Sequence, residues 1–267
     1  MTNNKDMKNH IHIEICAGDL EDILLANSFE EVDRIELNSH LEEDGLSPSP
    51  SFFLEAKKLS SKPLMVMVRP HNHGFVYSDS EKGIMLKEAQ FFLEQGANGI
   101  VFGALLDTKE IDIPFCQKMI SLIHAYDAEA VFHKAIDASD SLERSYQLLS
   151  QLSIDRILTS GGKSSCLEGI ETLGYLSKQP GASLLMGGGV NDQTVLELLK
   201  RTSIKEIHFS LRSSVSKEEK LSSILKKLTL LQIPSSQRLF TREDDEMLKK
   251  DIYEANFYSN DEDHDRY

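Results

Sequence analysis

The chain has 267 residues, of which 40% are hydrophobic and 27% charged. This length and apolar content predict a sizeable core and match one α/β barrel, which typically has about 250 residues. The formal net charge of −14 argues against nucleic acid or an anionic membrane surface as partner, because like charges repel. We therefore expect the partner to be a small molecule or a metal ion.

The three cysteines, Cys16, Cys116 and Cys166, are widely spaced and form no CxxC motif. Their odd number argues against a disulfide framework and for a reducing compartment. The polar segment 1–10 lacks the apolar centre of a secretory signal, and no apolar run is long enough to span a membrane. A cytoplasmic location is expected.

Short apolar strands alternate with helices along residues 11–231. The predicted strands are Ile11–Ile15, Arg34–Asn38, Leu64–Arg69, Gly99–Gly103, Ala130–His133, Arg156–Ser160, Ala182–Met186 and Glu206–Ser210. The predicted helices are Asp19–Ser28, Ser51–Leu59, Ser80–Gln95, Pro114–Tyr126, Ser141–Leu152, one from the 161–165 loop to about Ser177, Asn191–Lys200 and Ser216–Leu231. This alternation predicts βαβ units and a parallel sheet. Eight repeats without a GxGxxG loop favour a single (β/α)8, TIM-like barrel over an open sheet.

Two segments lie outside the predicted barrel. Residues 1–10 are expected to form a polar tail, and residues 232–267 a C-terminal extension. A helix is predicted over Arg242–Phe257, and the acidic segment Asn260–Tyr267 is expected to be disordered.

Several polar side chains are expected to point into the barrel near the carboxyl ends of its strands, because the apolar positions that alternate with them must face the outer helices. They are Glu14, Cys16, Glu36, Asn38, Arg69, His133 and His208. Since buried charge must be paired, Arg69 is expected to bind Glu14, Glu36 or both.

One interpretation of these residues is a catalytic site, with Glu14 or Glu36 as general acid or base. His133 is then the proton partner and Arg69 an electrostatic clamp. The alternative is a structural ion-pair network that fills the barrel.

Two glycine-containing loops are candidate anion-binding sites, since glycine lets backbone N–H groups approach an anion. They comprise Thr159, Ser160, Gly161, Gly162 and Lys163 in one loop, and Gly187, Gly188 and Gly189 in the other. The alternative is that these glycines only permit tight turns. Together with the polar strand ends, they favour an enzyme that acts on a small anionic or phosphorylated substrate.

Cys16 and His208 are candidate metal ligands. A thiolate suits Cu(I). A single cysteine at a strand end is also typical of a small buried hydrophobic residue.

Several short sequence motifs occur in a defined order across residues 11–210. They are Glu14–Cys16, Asp33–Leu37, Gly45–Pro48, Val68–Pro70, Phe75–Asp79, Gly99–Gly103, Phe132–Asp137, Arg156–Gly161, Leu167–Gly169, Gly187–Val190 and Glu206–His208. With these segments the chain resembles the CutC family, named as copper homeostasis proteins. The resemblance implies a TIM-like barrel, a cytoplasmic location, a homo-oligomer and a role in copper homeostasis with copper ion binding. Members of the family often carry a second cysteine after the second strand, proposed to bind Cu(I) with the first; Asn38 stands there in this chain.

Overall fold

In the computed structural model, which describes residues 10–212 and 215–232, eight parallel strands close into a barrel with eight α-helices outside. The strands are β1 (His12–Ala17), β2 (Arg34–Leu37), β3 (Leu64–Met67), β4 (Gly99–Phe102), β5 (Glu129–Phe132), β6 (Arg156–Thr159), β7 (Ser183–Gly187) and β8 (Glu206–Ser210). The helices are α1 (Leu20–Ser28), α2 (Pro50–Leu59), α3 (Asp79–Glu94), α4 (Ile113–His124), α5 (Leu142–Gln151), α6 (Ile170–Leu176), α7 (Val195–Arg201) and α8 (Lys217–Gln232). The predicted (β/α)8 architecture is confirmed.

Both predicted segments beyond the barrel, the 1–10 tail and the extension with its Arg242–Phe257 helix, fall almost entirely outside the described residues. Within the described part of the chain, no helix combines the length and the apolarity that crossing a membrane requires.

Alternation along the strands divides the apolar side chains between two cores. The outward-facing side chains of β1 and β2 join one large cluster with the helices, as expected for Ile13, Ile15, Ile35 and Leu37. A second, small cluster consists of Met65, Met67, Val101 and Val131, on the alternate positions of β3, β4 and β5. The barrel interior is therefore apolar beside these three strands, and polar side chains occupy much of the remainder.

Side-chain caps fix where the helices begin. Asp19, the residue before α1, accepts a hydrogen bond from the backbone N–H of Asp22 at 2.9 Å. Ser78 and Glu81 form a reciprocal capping box at the start of α3. Each such cap typically stabilises a helix by about 1 kcal/mol, so these helix starts are encoded locally.

Several predicted boundaries differ from the structure, including the start of α7, which lies at Val195 rather than Asn191. Strands β3 and β5 end before Arg69 and His133, which lie just beyond them, and His133 caps a 3₁₀ turn over Lys134–Ala138. Helix α6 begins only at Ile170, so Cys166 lies in a turn rather than on a helix. Gly161 has a φ of +79°, and a Cβ there would lie 2.4 Å from the carbonyl oxygen of Gly169. This close approach folds the 160–169 segment back on itself instead of letting it start a helix.

Candidate functional site

The polar interior begins with a chain of ion pairs near the amino ends of the strands, buried at Glu14 and Arg34 and partly exposed at Glu129. Glu14 accepts hydrogen bonds from Arg34 Nε at 2.5 Å and from His208 Nδ1 at 2.7 Å. Arg34 Nη2 also binds Glu206 at 2.8 Å, and Glu206 in turn binds Arg156. We call the five charged residues of this chain the ionic floor: Glu14, Arg34, Glu129, Arg156 and Glu206.

Glu14 is held as a carboxylate at the top of the ionic floor. Burial alone would raise the pKa of Glu14, but the hydrogen bond from His208 and the charge of Arg34 lower it to about 2. Both carboxylate oxygens are engaged. Glu14 therefore acts as an anchor for the His208 ring, and its proton-transfer capacity near neutral pH is small.

Arg69 does not make the predicted pairs with Glu14 or Glu36. Its Nη1 instead donates to the backbone carbonyls of Glu43, Asp44 and Gly45 at 3.0, 3.3 and 3.0 Å. The strand register explains the difference, since Arg34 pairs with Glu14 directly across β1 and β2. Arg69 thus holds the 43–45 loop against the mouth of the barrel.

Above the ionic floor lies a group that we call the mouth cluster: Cys16, Glu36, Asn38 and His208. Asn38 Nδ2 donates to Glu36 Oε1 at 2.7 Å and to Cys16 Sγ at 3.3 Å. The Cys16 thiol lies 3.7 Å from Glu36 Oε1, and His208 Nε2 lies 4.0 Å from the same oxygen. The potential ligand atoms of Cys16, Glu36 and His208 all lie within 4.8 Å of one another. The predicted ligands Cys16 and His208 are therefore brought together, with Glu36 beside them.

The tautomer of His208 follows from its partner. Because Glu14 is ionised, His208 Nδ1 carries the proton that is donated to it, and Nε2 faces the rest of the mouth cluster. A carboxylate behind the ring is the arrangement that commonly orients histidine ligands in metal sites.

Protons are held tightly within the mouth cluster. Burial raises the pKa of Glu36 above its usual value, with the charge of Glu14 adding to the effect and His208 opposing it. Burial and the neighbouring carboxylates raise the pKa of the Cys16 thiol. Burial lowers the pKa of His208, but the charges of Glu36 and Glu14 outweigh it and raise the pKa overall. A cation bound here would replace these protons and compensate the buried negative charge.

His133 lies near the mouth but has a different character. Its Nδ1 accepts a hydrogen bond from the backbone N–H of Ala135 at 3.1 Å, so the ring proton resides on Nε2. Burial, with the charge of Arg69, lowers the pKa of His133 to about 3. Nε2 is buried and has no partner among the described residues. His133 is therefore a neutral hydrogen-bond donor and a poor metal ligand, because its Nδ1 cannot carry the proton while it accepts from Ala135.

These groups line a cavity of about 640 Å³ at the carboxyl ends of the strands. Seven of the predicted site residues line it, whereas Glu14 lies in the ionic floor and is not part of the lining: Cys16, Glu36, Arg69, His133, Gly188, Gly189 and His208. Three basic residues that the sequence reasoning missed also line it: Lys134, Arg212 and Lys220. Lys134 follows His133 directly, and Arg212 follows β8. The positions of Lys134 and Arg212, just beyond the ends of strands, could have identified them as site residues from the sequence.

The first predicted anion loop already holds an anion from the chain itself. Asp137 accepts hydrogen bonds from the backbone N–H groups of Ser160 and Gly162 at 2.9 and 2.8 Å. The hydroxyl groups of Thr159 and Ser160 donate to the same carboxylate at 2.5 and 3.0 Å, and Gly161 N–H donates to Thr159 Oγ1 at 2.9 Å. Lys163 is exposed and does not line the cavity.

In the second predicted anion loop, Gly188 and Gly189 line the cavity. Their φ angles of +113° and +76° suit glycine, and a Cβ on Gly188 would lie 3.2 Å from Lys134 Nζ. Gly187 ends β7 beside His208, and a Cβ there would lie 2.5 Å from Leu158 Cδ1. Gly187 therefore serves interior packing, while Gly188 leaves room for the lysine.

Comparisons with known proteins agree with this architecture. The sequence profile of the CutC family matches residues 11–213. A CutC family protein of Treponema denticola is 38% identical to this chain over 206 residues, and the match covers 76% of this chain and 82% of the relative. A family protein CutC of Glaesserella parasuis is 36% identical over 200 residues, covering 74% and 81%.

Among solved structures, the CutC protein from Streptococcus agalactiae, described there in connection with copper homeostasis, superposes with a TM-score of 0.69. It is 26% identical, and the match covers 76% of this chain and 99% of that one. Phosphoribosylanthranilate isomerase from Pyrococcus furiosus has a TM-score of 0.54 at 15% identity, covering 82% and 99%. That second likeness concerns the barrel fold alone.

Proposed function

The chain belongs to the CutC family, and from that premise we propose that it binds a soft metal ion, copper(I), as cargo at the mouth cluster. The observation that carries the proposal is the convergence of Cys16, Glu36 and His208, whose ligand atoms lie within 4.8 Å of one another. The CutC protein of Streptococcus agalactiae, named for copper homeostasis, shares the fold.

The donor set fits a soft ion. A cysteine thiolate is a preferred ligand of Cu(I), and an imidazole suits copper in either oxidation state. In this proposal Cys16 Sγ and His208 Nε2 bind the ion, and Glu36 balances its charge. Glu14 orients the His208 ring from behind at 2.7 Å, and Asn38 donates to the cysteine sulfur at 3.3 Å. Partners of this kind typically contribute 10–100-fold to metal affinity.

Competition titration of the reduced protein with Cu(I) and a strong Cu(I) chelator tests the proposal. We expect the Cys16→Ser and His208→Gln variants each to lower the affinity by more than about 10-fold. Cys166→Ser is the matched thiol control, since Cys166 lies in the 160–169 turn. His124→Gln is the matched imidazole control, since His124 lies on α4.

Equal affinities in the wild type and the Cys16→Ser variant would remove Cys16 as a direct ligand. An equal loss in the Cys166→Ser control would show that the effect is not specific to the mouth. Circular dichroism spectra of the metal-free variants establish that each one is folded.

The size and charge of the cavity favour a second candidate function. A volume of about 640 Å³ falls in the range of small-molecule sites and far exceeds what one ion needs. Lys134 is one of the basic residues that line the cavity, and it lies beside Gly188. We infer that the cavity accepts a small anionic or phosphorylated molecule and supports acid–base chemistry on it.

In this second candidate Glu36 has the acid–base role, and His133 has the role of a hydrogen-bond donor. The raised pKa of Glu36, caused first by burial, suits a general acid or base, and its Oε2 has no partner among the described residues. His133 would donate its Nε2 proton in a hydrogen bond to the ligand. Lys134 and the Gly188–Gly189 backbone would bind the anionic group, and Arg69 would shape the wall.

Thermal-shift screening of small phosphorylated and carboxylated compounds tests this candidate, because a ligand that binds only the folded state raises the melting temperature. With a compound identified, Glu36→Gln should retain binding and lose turnover. Failure of every anionic compound to shift the melting temperature would contradict the candidate.

Assembly into a homo-oligomer and a cytoplasmic location remain predictions from the family resemblance. Light scattering of the purified protein and fractionation of cells test them directly.

A further inference from the structure

A separate group of metal-binding side chains lies at the opposite end of the barrel from the mouth. His12 is the first residue of β1, His10 precedes it by two positions, and Asp33 immediately precedes β2. Because side chains alternate along an extended chain, the two imidazoles share one side, and their ring centroids lie 4.6 Å apart. We call these three residues the rim triad.

One carboxylate oxygen connects the two rings. Asp33 Oδ1 lies 2.7 Å from His10 Nε2 and 3.5 Å from His12 Nδ1. Asp33 Oδ2 accepts the backbone N–H of Ile13 at 2.7 Å, which fixes the orientation of the carboxylate. The potential ligand atoms of the triad all lie within 4.8 Å of one another.

A similar pair elsewhere in the barrel shows what the rim triad adds. Asp155 precedes β6, accepts the backbone N–H of Ala130 at 2.8 Å and lies 2.8 Å from His124 Nε2. The same arrangement therefore occurs twice: an aspartate just before one strand accepts a backbone hydrogen bond from the neighbouring strand and binds one histidine. The second imidazole, on His12, exists only at the rim triad and has no counterpart beside Asp155 among the described residues.

We propose that His10, His12 and Asp33 bind a borderline divalent cation of the Zn²⁺ or Cu²⁺ class at the amino-terminal rim. Two imidazoles and a carboxylate match the ligand preferences of such ions, whereas Cu(I) favours thiolate and Mg²⁺ or Ca²⁺ favours oxygen alone. Three protein ligands leave coordination positions for water. Side-chain exposures of 39%, 50% and 27% give the ion direct access from solvent.

The proposal assigns the two ends of the barrel to ions of different softness. The mouth cluster contains the soft sulfur donor, and the rim triad contains only nitrogen and oxygen donors. An ion at the rim would also link His10 to Asp33, the residue before β2. The rim site does not depend on the mouth, so it stands whether or not copper(I) binds there.

Zinc titration of the full-length reduced protein, in competition with a chromophoric chelator, tests the rim site in the Cys16→Ser background, where the mouth lacks its thiol. We expect His12→Gln and Asp33→Asn each to weaken the rim affinity by at least 10-fold. The Asp33→Asn side chain keeps an oxygen acceptor for Ile13 N–H, so the strand entrance is preserved. His124→Gln is the matched control and should leave the affinity unchanged.

Electron paramagnetic resonance of Cu²⁺ added to the same proteins gives an independent readout. We expect nitrogen hyperfine structure from two imidazoles, reduced to one in the His12→Gln variant. The proposal is overturned if the Cys16→Ser protein binds no Zn²⁺, if His12→Gln and Asp33→Asn bind it as tightly as their parent, or if His124→Gln weakens binding equally.

Discussion

The ionic floor and the mouth use the same kinds of residue inside one barrel, yet they differ in how their polar atoms are satisfied. In the floor, every charged group pairs with an opposite charge, from Glu129 through Arg156 and Glu206 to Arg34 and Glu14. At the mouth, four buried atoms have no hydrogen-bond partner among the described residues: Glu36 Oε2, Asn38 Oδ1, Arg69 Nε and His133 Nε2.

This contrast separates structural charge from functional charge. A paired buried ion is held by its partner and has little capacity left for a ligand. A buried polar atom without a partner carries a desolvation cost, which a bound ligand can offset. The ionic floor is thus a structural ion-pair network, and the unpaired atoms of the mouth are the ones that a bound ligand would satisfy.

Breaking the floor should have the largest effect. Arg34→Met removes the partner of Glu14 and one partner of Glu206. We expect a loss of about 3–5 kcal/mol in the free energy of unfolding, because the buried Glu14 carboxylate loses its guanidinium partner and Glu206 keeps only Arg156. Chemical denaturation at pH 7 measures it. Glu36→Gln at the mouth is the contrasting variant, and an equal loss there would erase the distinction between the two regions.

The mouth should also make stability depend on pH. Burial and the charge of Arg69 lower the pKa of His133 from 6.5 to about 3. A histidine that resists protonation when folded contributes stability above pH 6.5, and this contribution is lost as pH falls. Between pH 6.5 and 4 the loss is about 3 kcal/mol. Urea unfolding across this window should show a shallower slope for His133→Gln, and the wild-type slope for His124→Gln.

A second thiol should sharpen the metal preference of the mouth. Asn38 Nδ2 lies 3.3 Å from Cys16 Sγ, so the Asn38→Cys variant places two sulfur atoms near one another. We expect the Cu(I) affinity to rise at least 10-fold, equivalent to about 1.4 kcal/mol, because Cu(I) prefers thiolate to amide. Chelator competition under reducing conditions measures it, and Asn38→Ser serves as the control without a thiol.

The smallest expected effect is a phosphate-induced rise in melting temperature that depends on Lys134 and not on Lys163. If the cavity binds phosphate, inorganic phosphate at ten times its Kd adds about 1.4 kcal/mol of stability. This corresponds to a rise of about 3–6 °C in melting temperature for a protein of this size. Lys134→Met should abolish most of the shift. Lys163→Met should leave it intact, because Lys163 is exposed and lies away from the cavity lining.

Local periodicity was sufficient to place several site residues. Alternation along β1, β2 and β8 puts Glu14, Glu36 and His208 on the interior side, and the register then sets Glu14 beside His208 and Cys16 beside Glu36. The apolar neighbours Ile15 and Ile35 face the helices as expected. These features follow from a repeat of two residues, which needs no knowledge of distant contacts.

Side-chain alternation could not predict which distant residues form ion pairs. Alternation turned Arg34 inward, but its preference over Arg69 as the partner of Glu14 depends on the stagger of β2 against β1. The sequence predicts an anion site in the Thr159–Lys163 loop, but it does not predict that the carboxylate bound there comes from Asp137, on the preceding 3₁₀ turn.

The sequence by itself determined the order of strands and helices, the side on which each strand residue lies, and the family. The tertiary structure decided which charges neutralise one another and which polar atoms remain for a ligand. The physical reason is range: side-chain alternation and helix capping act over two to four residues, whereas the ion pair between Arg34 and Glu206 joins residues 172 positions apart.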